Sequence, residues 1–183
     1  MTTIVSTRVA ALGGAVIILL LSVGAGFTRQ PHAQEEFPVA ELSTHTHFHG
    51  LAVDRADPSR LYLATHHGLY VVTAEGTATR VSDNTNDYMG FTPHPTDPTT
   101  LFASGHPAGG GNMGVLLSRN GGVSWSALAA GSNGPVDFHQ MTISAADPQV
   151  IYGAYAGGLQ VSRDGGQSWE VYRPRLVGHR ISA

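Results

Sequence analysis

Two octapeptides decide how this chain is read: Ser118-Arg119-Asn120-Gly121-Gly122-Val123-Ser124-Trp125 and Ser162-Arg163-Asp164-Gly165-Gly166-Gln167-Ser168-Trp169. In each, a short polar side chain and a Gly-Gly pair stand between two apolar, strand-like runs. Glycine reaches positive φ without steric cost, and Asn or Asp side chains bond neighbouring backbone N–H groups, so both segments read as tight β-hairpin turns. A Trp at a fixed offset after the turn supplies a large packing anchor. One Asn-Gly or Asp-Gly turn is commonplace. The same turn twice, with Ser ahead of it and Ser-Trp behind, marks a repeat protein.

Outward from the boxes, the region from Phe37 to Arg173 makes three passes through one pattern. The first runs Gly50-Leu51-Ala52-Val53-Asp54, Asp57-Pro58, Leu61-Tyr62-Leu63-Ala64 and Gly68-Leu69-Tyr70-Val71-Val72. The second has Gly90-Phe91-Thr92-Pro93-His94, Asp97-Pro98, Leu101-Phe102-Ala103-Ser104 and Gly114-Val115-Leu116-Leu117-Ser118; the third has Gln140-Met141-Thr142-Ile143-Ser144, Asp147-Pro148, Ile151-Tyr152-Gly153-Ala154 and Gly158-Leu159-Gln160-Val161-Ser162. Asp-Pro recurs after 40 and then 50 residues, the longer interval holding a Gly-rich insertion from Pro107 to Met113. Pro fixes φ and pushes the preceding residue out of the helical region, so Asp-Pro suits the turn between a first and a second strand. Four short strands in such a period match one propeller blade. The expected fold is therefore all-β, a β-propeller of four-stranded blades with about three blades present. In the first pass the box is degraded to Ala74-Glu75-Gly76-Thr77, so that blade is recognised by its first three strands. Phe37 to Leu42 reads as the outer strand of a final, closing blade, and Pro174 to Ala183 as a tail. Three blades do not close a ring, which implies a truncated propeller or self-association with another chain.

Composition agrees with a turn-rich β protein: 23 Gly in 183 residues and only 13% charged residues argue against a helical bundle. A net charge of −3 offers no electrostatic case for nucleic acid. The absence of Cys removes disulfides and thiolate chemistry. Arg8 precedes an apolar run from Val9 to Phe27, so residues 1–27 read as a signal peptide or membrane anchor and 28–36 as a linker. The protein is expected outside the cytoplasm, touching a membrane only through that segment if it is retained.

The two boxes resemble the Asp-box, or BNR, repeat, with Asn120 in place of its Asp and Ser124 and Ser168 in place of its Thr. The wider passes are similar to exported bacterial propellers labelled sialidase-like or glycosylhydrolase-like. The resemblance implies the propeller fold and makes Ser118, Asn120, Gly121, Gly122, Trp125, Ser162, Asp164, Gly165, Gly166 and Trp169 structural turn residues. For a sialidase it would also imply three arginines at the channel mouth and a Tyr and Glu nucleophile pair. Arg55 and Arg60 flank the Asp-Pro turn and Arg119 and Arg163 lie in the boxes, while Tyr88 is the one tyrosine near the opposite rim. Asp87 and Asp137 are the catalytic candidates that remain for a glycoside hydrolase.

Histidine is the stronger signal. Because strands alternate direction, the start of each first strand and the end of each second strand share one face, opposite the boxes. His47 and His49 begin the first strand of pass one, and His139 matches His49 in pass three. His66 and His67 follow the second strand of pass one, and His106 matches His66 in pass two. With Asp87 and Asp137 beside them, His47, His49, His66, His67, His106 and His139 make a candidate site for Zn, Cu or Ni. His32, His94 and His179 fall outside it. The reading favours a non-catalytic exported propeller that binds a metal ion, another ligand or a protein partner through this face; the alternative is a sialidase-like glycoside hydrolase or a remnant of one.

Overall fold

The computed structural model describes residues 36–174; the expected signal or anchor segment, nearly all of the linker and the tail after Pro174, with His32 and His179, lie outside them. Thirteen strands and one short helix follow in order: β1 (Glu36–Pro38), α1 (Val39–Leu42), β2 (Phe48–Val53), β3 (Leu61–Thr65), β4 (Gly68–Val72), β5 (Thr77–Arg80), β6 (Asp87–Pro93), β7 (Leu101–His106), β8 (Val115–Ser118), β9 (Ser126–Ala129), β10 (Gln140–Ile143), β11 (Ile151–Tyr155), β12 (Gly158–Ser162) and β13 (Glu170–Val171). They form three antiparallel sheets, ordered β1-β5-β4-β3-β2, β6-β7-β8-β9 and β10-β11-β12-β13. The fold is nearly all β and propeller-like. Among the described residues no helix is long and apolar enough to cross a membrane.

Each pass of the sequence has become one sheet, and the turns explain why. Asp57, Asp97 and Asp147 each accept a hydrogen bond at Oδ1 from the backbone N–H two residues on, that of Ser59 (3.1 Å), Thr99 (2.9 Å) and Gln149 (3.0 Å). Such a side chain mimics a backbone turn and closes the first hairpin of every sheet. The two boxes fold identically. The Ser118 and Ser162 hydroxyls each accept the N–H of the second glycine, Gly122 at 2.9 Å and Gly166 at 2.8 Å. Each hydroxyl in turn donates to Oδ1 of the following Asn120 or Asp164. The glycine pairs sit at φ of 68° and 86° in one box and 70° and 90° in the other, the left-handed region that Cβ disfavours. The indole N–H of Trp125 donates to the Gly122 carbonyl and that of Trp169 to the Gly166 carbonyl, both at 2.9 Å.

Packing between sheets follows strand alternation. Along β7, Leu101 and Ala103 face the first sheet, where they meet Tyr62, Leu69 and Val71; Phe102 points the other way, toward Val136, Phe138, Met141 and Ile151. The second sheet is thus covered on both faces, which is why β7 and β8 are buried almost without interruption. The outer face of the first sheet is covered in part. Leu63, Tyr70, Val72 and Ala78 pack under Leu42, Phe37 and Val39, whereas Leu51 and Val53 on the same face stay 64% and 51% exposed.

One expectation changes. Phe37 to Leu42 does not form the outer strand of a separate final blade: Glu36–Pro38 pairs antiparallel with Thr77–Arg80 as a fifth strand of the first sheet, and Val39–Leu42 turns into α1. The free edge of β5 was the nearest unpaired ladder, and burying Leu42 and Phe37 over Tyr70 rewards that pairing. The degraded box of the first pass still makes a hairpin, with Gly76 at φ 82° and the Thr73 N–H bonded to the Thr77 carbonyl at 2.9 Å, so the first sheet has its fourth strand.

The boxes yield two predictions. A Cβ on Gly122 would lie 2.2 Å from Leu69 Cδ2, while one on Gly121 would meet only the Tyr62 hydroxyl at 3.5 Å. Gly122→Ala should therefore combine left-handed strain with overpacking and cost about 2–4 kcal/mol, against about 1–2 kcal/mol for Gly121→Ala; urea unfolding of both variants measures the order, and equal losses would contradict this geometry. Asp164 is held down at about 2 by the Ser168 hydroxyl and N–H and the Ser162 hydroxyl. Because that is below its ordinary 3.8, its stabilisation is complete above roughly pH 4 and is lost as pH falls toward 2. Asp164→Asn, which copies Asn120, should flatten the fall in melting temperature across that window, and Asp97, likewise held near 2, should keep a residual slope.

Candidate functional site

The rim histidines and aspartates stand at the ends of the strands remote from the boxes. The Gly121 N–H donates to the Thr99 carbonyl and the Gly165 N–H to the Gln149 carbonyl, so each box sits against an Asp-Pro turn. At the other end, the His66 N–H donates to the His47 carbonyl at 3.2 Å, and Asp87 is the register partner of His106. Gly105 makes the latter approach close: its φ is 137°, and a Cβ there would stand 2.0 Å from the Asp87 carbonyl oxygen.

Side chains then meet across the clefts between sheets. His66, from the first sheet, brings Nδ1 to 2.6 Å from Asp87 Oδ2 on the second. His49 brings Nε2 to 3.6 Å from Asp87 Oδ1, too long for a hydrogen bond. The His49 ring stands edge-on to His66 with centroids 4.2 Å apart, and His47 lies 5.3 Å from His66. One ligand atom each from His49, His66 and Asp87 falls within 4.8 Å of the others. One cleft further on, His106 of the second sheet places Nε2 2.9 Å from Asp137 Oδ2, and His139 of the third places its Nε2 3.0 Å from the same oxygen.

Burial raises the stakes of these contacts. Asp137 is 3% exposed. His49 Nε2, Asp87 Oδ1 and Asp137 Oδ1 are buried with no hydrogen-bond partner, and an unpaired buried polar atom costs about 1–3 kcal/mol. Burial also lowers the His49 pKa, against the pull of Asp87, which favours the neutral imidazole that coordinates metals. The His106 pKa moves up, first because Nδ1 lies 2.7 Å from the Gly111 carbonyl. The Gly-rich insertion that lengthens the second repeat therefore has a local purpose at the rim: its carbonyl holds one nitrogen of His106 and leaves the other for Asp137.

Beside the clusters opens a cavity of about 610 Å³, lined by Ser43 to His47, His66, His67, Thr85, Asp87, His106 and the start of the insertion. His67 is exposed and contributes to this wall but to neither His–Asp cluster. The seven remaining candidates, His47, His49, His66, His106, His139, Asp87 and Asp137, share one rim but divide between two carboxylates. His94 binds the N–H groups of Thr96 and Asp97 at the opposite end. Tyr88 is fully buried, its ring 4.9 Å from Trp125 and its hydroxyl on Asn84; burial drives its pKa up, so it is no exposed nucleophile. Arg60 is committed to the buried Asp54 through Nε and Nη2 and Arg163 to Glu170. Sequence reasoning missed His45, which lines the cavity with its ring 4.6 Å from Phe37. Its alternation with His47 and His49 was the signal that could have found it.

No family model matches the chain, and neither does any curated protein. Solved structures do. An ancestral GH74 enzyme aligns over 70% of this chain and 18% of its own, with 17% identity and a TM-score of 0.54. A GH74 xyloglucanase from Xanthomonas campestris aligns over 70% of this chain and 24% of its own at 20% identity and a TM-score of 0.45. A GH74 enzyme from Niastella koreensis aligns over 69% and 22%, at 16% identity and a TM-score of 0.45. These neighbours are β-propeller-like glycoside hydrolases. The first of them supports the fold, and this chain spans less than a quarter of the length of each.

Proposed function

We propose that this chain is part of an exported propeller of the Asp-box type whose His-rich rim binds a divalent transition metal ion, with His49, His66 and Asp87 as ligands. The observation that carries the reading is a pair of buried, unpartnered atoms, His49 Nε2 and Asp87 Oδ1, standing 3.6 Å apart. Donors bound to one tetrahedral ion at about 2.0–2.1 Å stand roughly 3.3–3.4 Å from each other. The separation is thus too long for a hydrogen bond and close to that of two ligands sharing an ion. Two imidazoles and a carboxylate suit Zn, Cu or Ni. They also leave coordination positions for water or a small ligand entering from the adjacent cavity.

The three sheets are read as blades, because each repeats the same turns and packs on the next by the same alternation. Leu51 and Val53 at one end and Leu159 at the other are exposed apolar residues of the kind that pack between blades, and further blades would cover them. Export rests on Arg8 and the apolar run after it. A glycoside hydrolase reading, which the fold invites, needs a general acid and a second carboxylate standing free on either side of a sugar. Here Asp87 is engaged by His66 and Asp137 by His106 and His139, which favours binding over hydrolysis.

The full chain, stripped with a chelator and titrated with Zn²⁺ near neutral pH, should bind zinc. His49→Ala and His66→Ala should each weaken binding at this position by at least about 100-fold, since loss of even an outer-shell partner costs 10–100-fold. Undiminished affinity in both variants would overturn the assignment, as would cleavage of aryl glycosides that disappears in Asp87→Ala.

A further inference from the structure

The repeat leaves one packing position unused at each end of the row of three sheets. Between the first two sheets the position is filled by Phe91 of β6. Its ring lies 5.9 Å from that of Tyr62, and a Cβ on Gly50 would stand 2.9 Å from the Phe91 Cβ and 3.3 Å from that of Ala64. Between the second and third sheets Met141 of β10 takes the same part, in the cluster that holds Phe102. Phe91 and Met141 occupy one position of the repeat, and in the first sheet that position is Leu51. Leu51 has no sheet to lock onto: it is 64% exposed, with Val53 beside it at 51%.

The hole that such a side chain fills lies on the same molecule, at the far end. Tyr152 and Ala154 are the third sheet's counterparts of Tyr62 and Ala64, and Gln140 is that of Gly50. Ile151 packs against the second sheet, so by strand alternation Tyr152 and Ala154 face away from it. With Gln140, Thr142 and Leu159 they line an open groove of about 230 Å³. The exchanges at the two ends are complementary: the smaller Leu51 stands in place of Phe91, which makes room for the larger Gln140 in place of Gly50 and avoids overpacking. Nor does α1 block the approach. It shields β3, β4 and β5 through Leu63, Tyr70 and Ala78, whereas successive sheets touch chiefly through their inner strands, β2 with β6 and β6 with β10, and Leu51 and Val53 of β2 are left open.

We infer that Leu51 of one copy of this chain seats in the groove between Gln140, Tyr152 and Leu159 of a second copy, and that the second copy returns the contact, so that two chains close one ring. The occupant is a second copy because one polypeptide carries both halves of the fit, and because the contact continues an interface that the chain already makes twice within itself. Such an interface is head-to-tail, and two of them about a two-fold axis satisfy both free ends. Three sheets in each chain give a closed ring of six, within the range of about 4 to 8 blades that propellers use. The inference rests on the reading of the sheets as blades and is independent of the metal position.

The absence of cysteine makes disulfide trapping a clean test. Leu51 and Gln140 are exposed, so Leu51→Cys and Gln140→Cys should leave folding intact. Full chains carrying one substitution each, held in nonionic detergent and mixed under oxidised glutathione, should give a covalent dimer on a non-reducing gel. Either variant alone should not, because a head-to-tail contact never brings like positions together, and a chain carrying both should stop at the dimer. The wild-type chain should sediment at twice the mass of one chain. Leu51→Asp should raise the dissociation constant at least about 30-fold, the effect of an interface anchor, with an unchanged thermal melt at dilutions where both proteins are monomeric. A wild-type monomer, with no trapping in the mixture, would overturn the second copy as occupant and leave the reading of the sheets as blades standing. A ladder of ever longer covalent chains from the double variant would overturn closure, and that reading with it. A dimer trapped by Gln140→Cys alone would mean that two third sheets meet face to face, and would also overturn the proposal.

Discussion

The rim depends on a tryptophan stacked against the ring that follows a rim aspartate. Trp125 packs on Tyr88 with centroids 4.9 Å apart, and Trp169 on Phe138 at 4.7 Å. Each indole is also tied by its N–H to the carbonyl of its own turn. Tyr88 and Phe138 directly follow Asp87 and Asp137. The box therefore does more than close a hairpin, because its Trp clamps the backbone that presents each carboxylate. Both rings are fully buried, and an aromatic pair of this kind adds about 0.5–1.5 kcal/mol beyond the area it buries. A structural turn at one end of the sheet is in this way coupled to the chemistry at the other.

The same fold shows what a satisfied buried carboxylate looks like. Asp54 is fully buried and accepts Arg60 through Nε and Nη2 at Oδ2 while the Ala56 N–H serves Oδ1 at 2.9 Å. Every lone-pair direction that matters has a donor, and the Arg60 pKa rises in response to that bonding. Asp137 is nearly as deep and Asp87 is partly buried, but both have only imidazoles as company, and one oxygen of each is orphaned. A structural ion pair would have been easy to build with arginine, as at Asp54. Imidazole in its place offers a partner that can give up a proton and hold a metal, which arginine cannot do.

Legibility in the sequence tracked the range of the forces involved. The Asp-Pro turns and the boxes were readable because their hydrogen bonds close within two to four residues, and the hairpins they impose made the strand order follow. The placing of His47, His49, His66, His106 and His139 on one rim was readable for the same reason: antiparallel strands return the chain to one end. The partition into two clefts was not. It depends on how far one sheet is offset from the next, and that offset is set by packing of Leu69 with Leu101 and of Phe102 with Ile151, partners far apart in the chain. The fate of Phe37 to Leu42 was hidden too, since its pairing with β5 is a choice among sheet edges, and edge pairing carries little local signal.

The insertion from Pro107 to Met113 illustrates how a repeat acquires function. By position, His66 and His106 are equivalent, yet His66 turns Nδ1 to its carboxylate and His106 turns Nε2. The difference is the Gly111 carbonyl, which the first repeat lacks and which occupies Nδ1 of His106. Glycines at φ of 84° and 90° let a loop of seven residues fold back tightly enough to aim that carbonyl. An interruption in the period, which as pattern only lengthens a repeat, thus decides which nitrogen of a half-exposed histidine faces a buried carboxylate. Repetition supplies the carboxylate and the cleft; departure from repetition sets which ring nitrogen meets the carboxylate, and with it a chemical difference between two His–Asp clusters that the fold alone would have made alike.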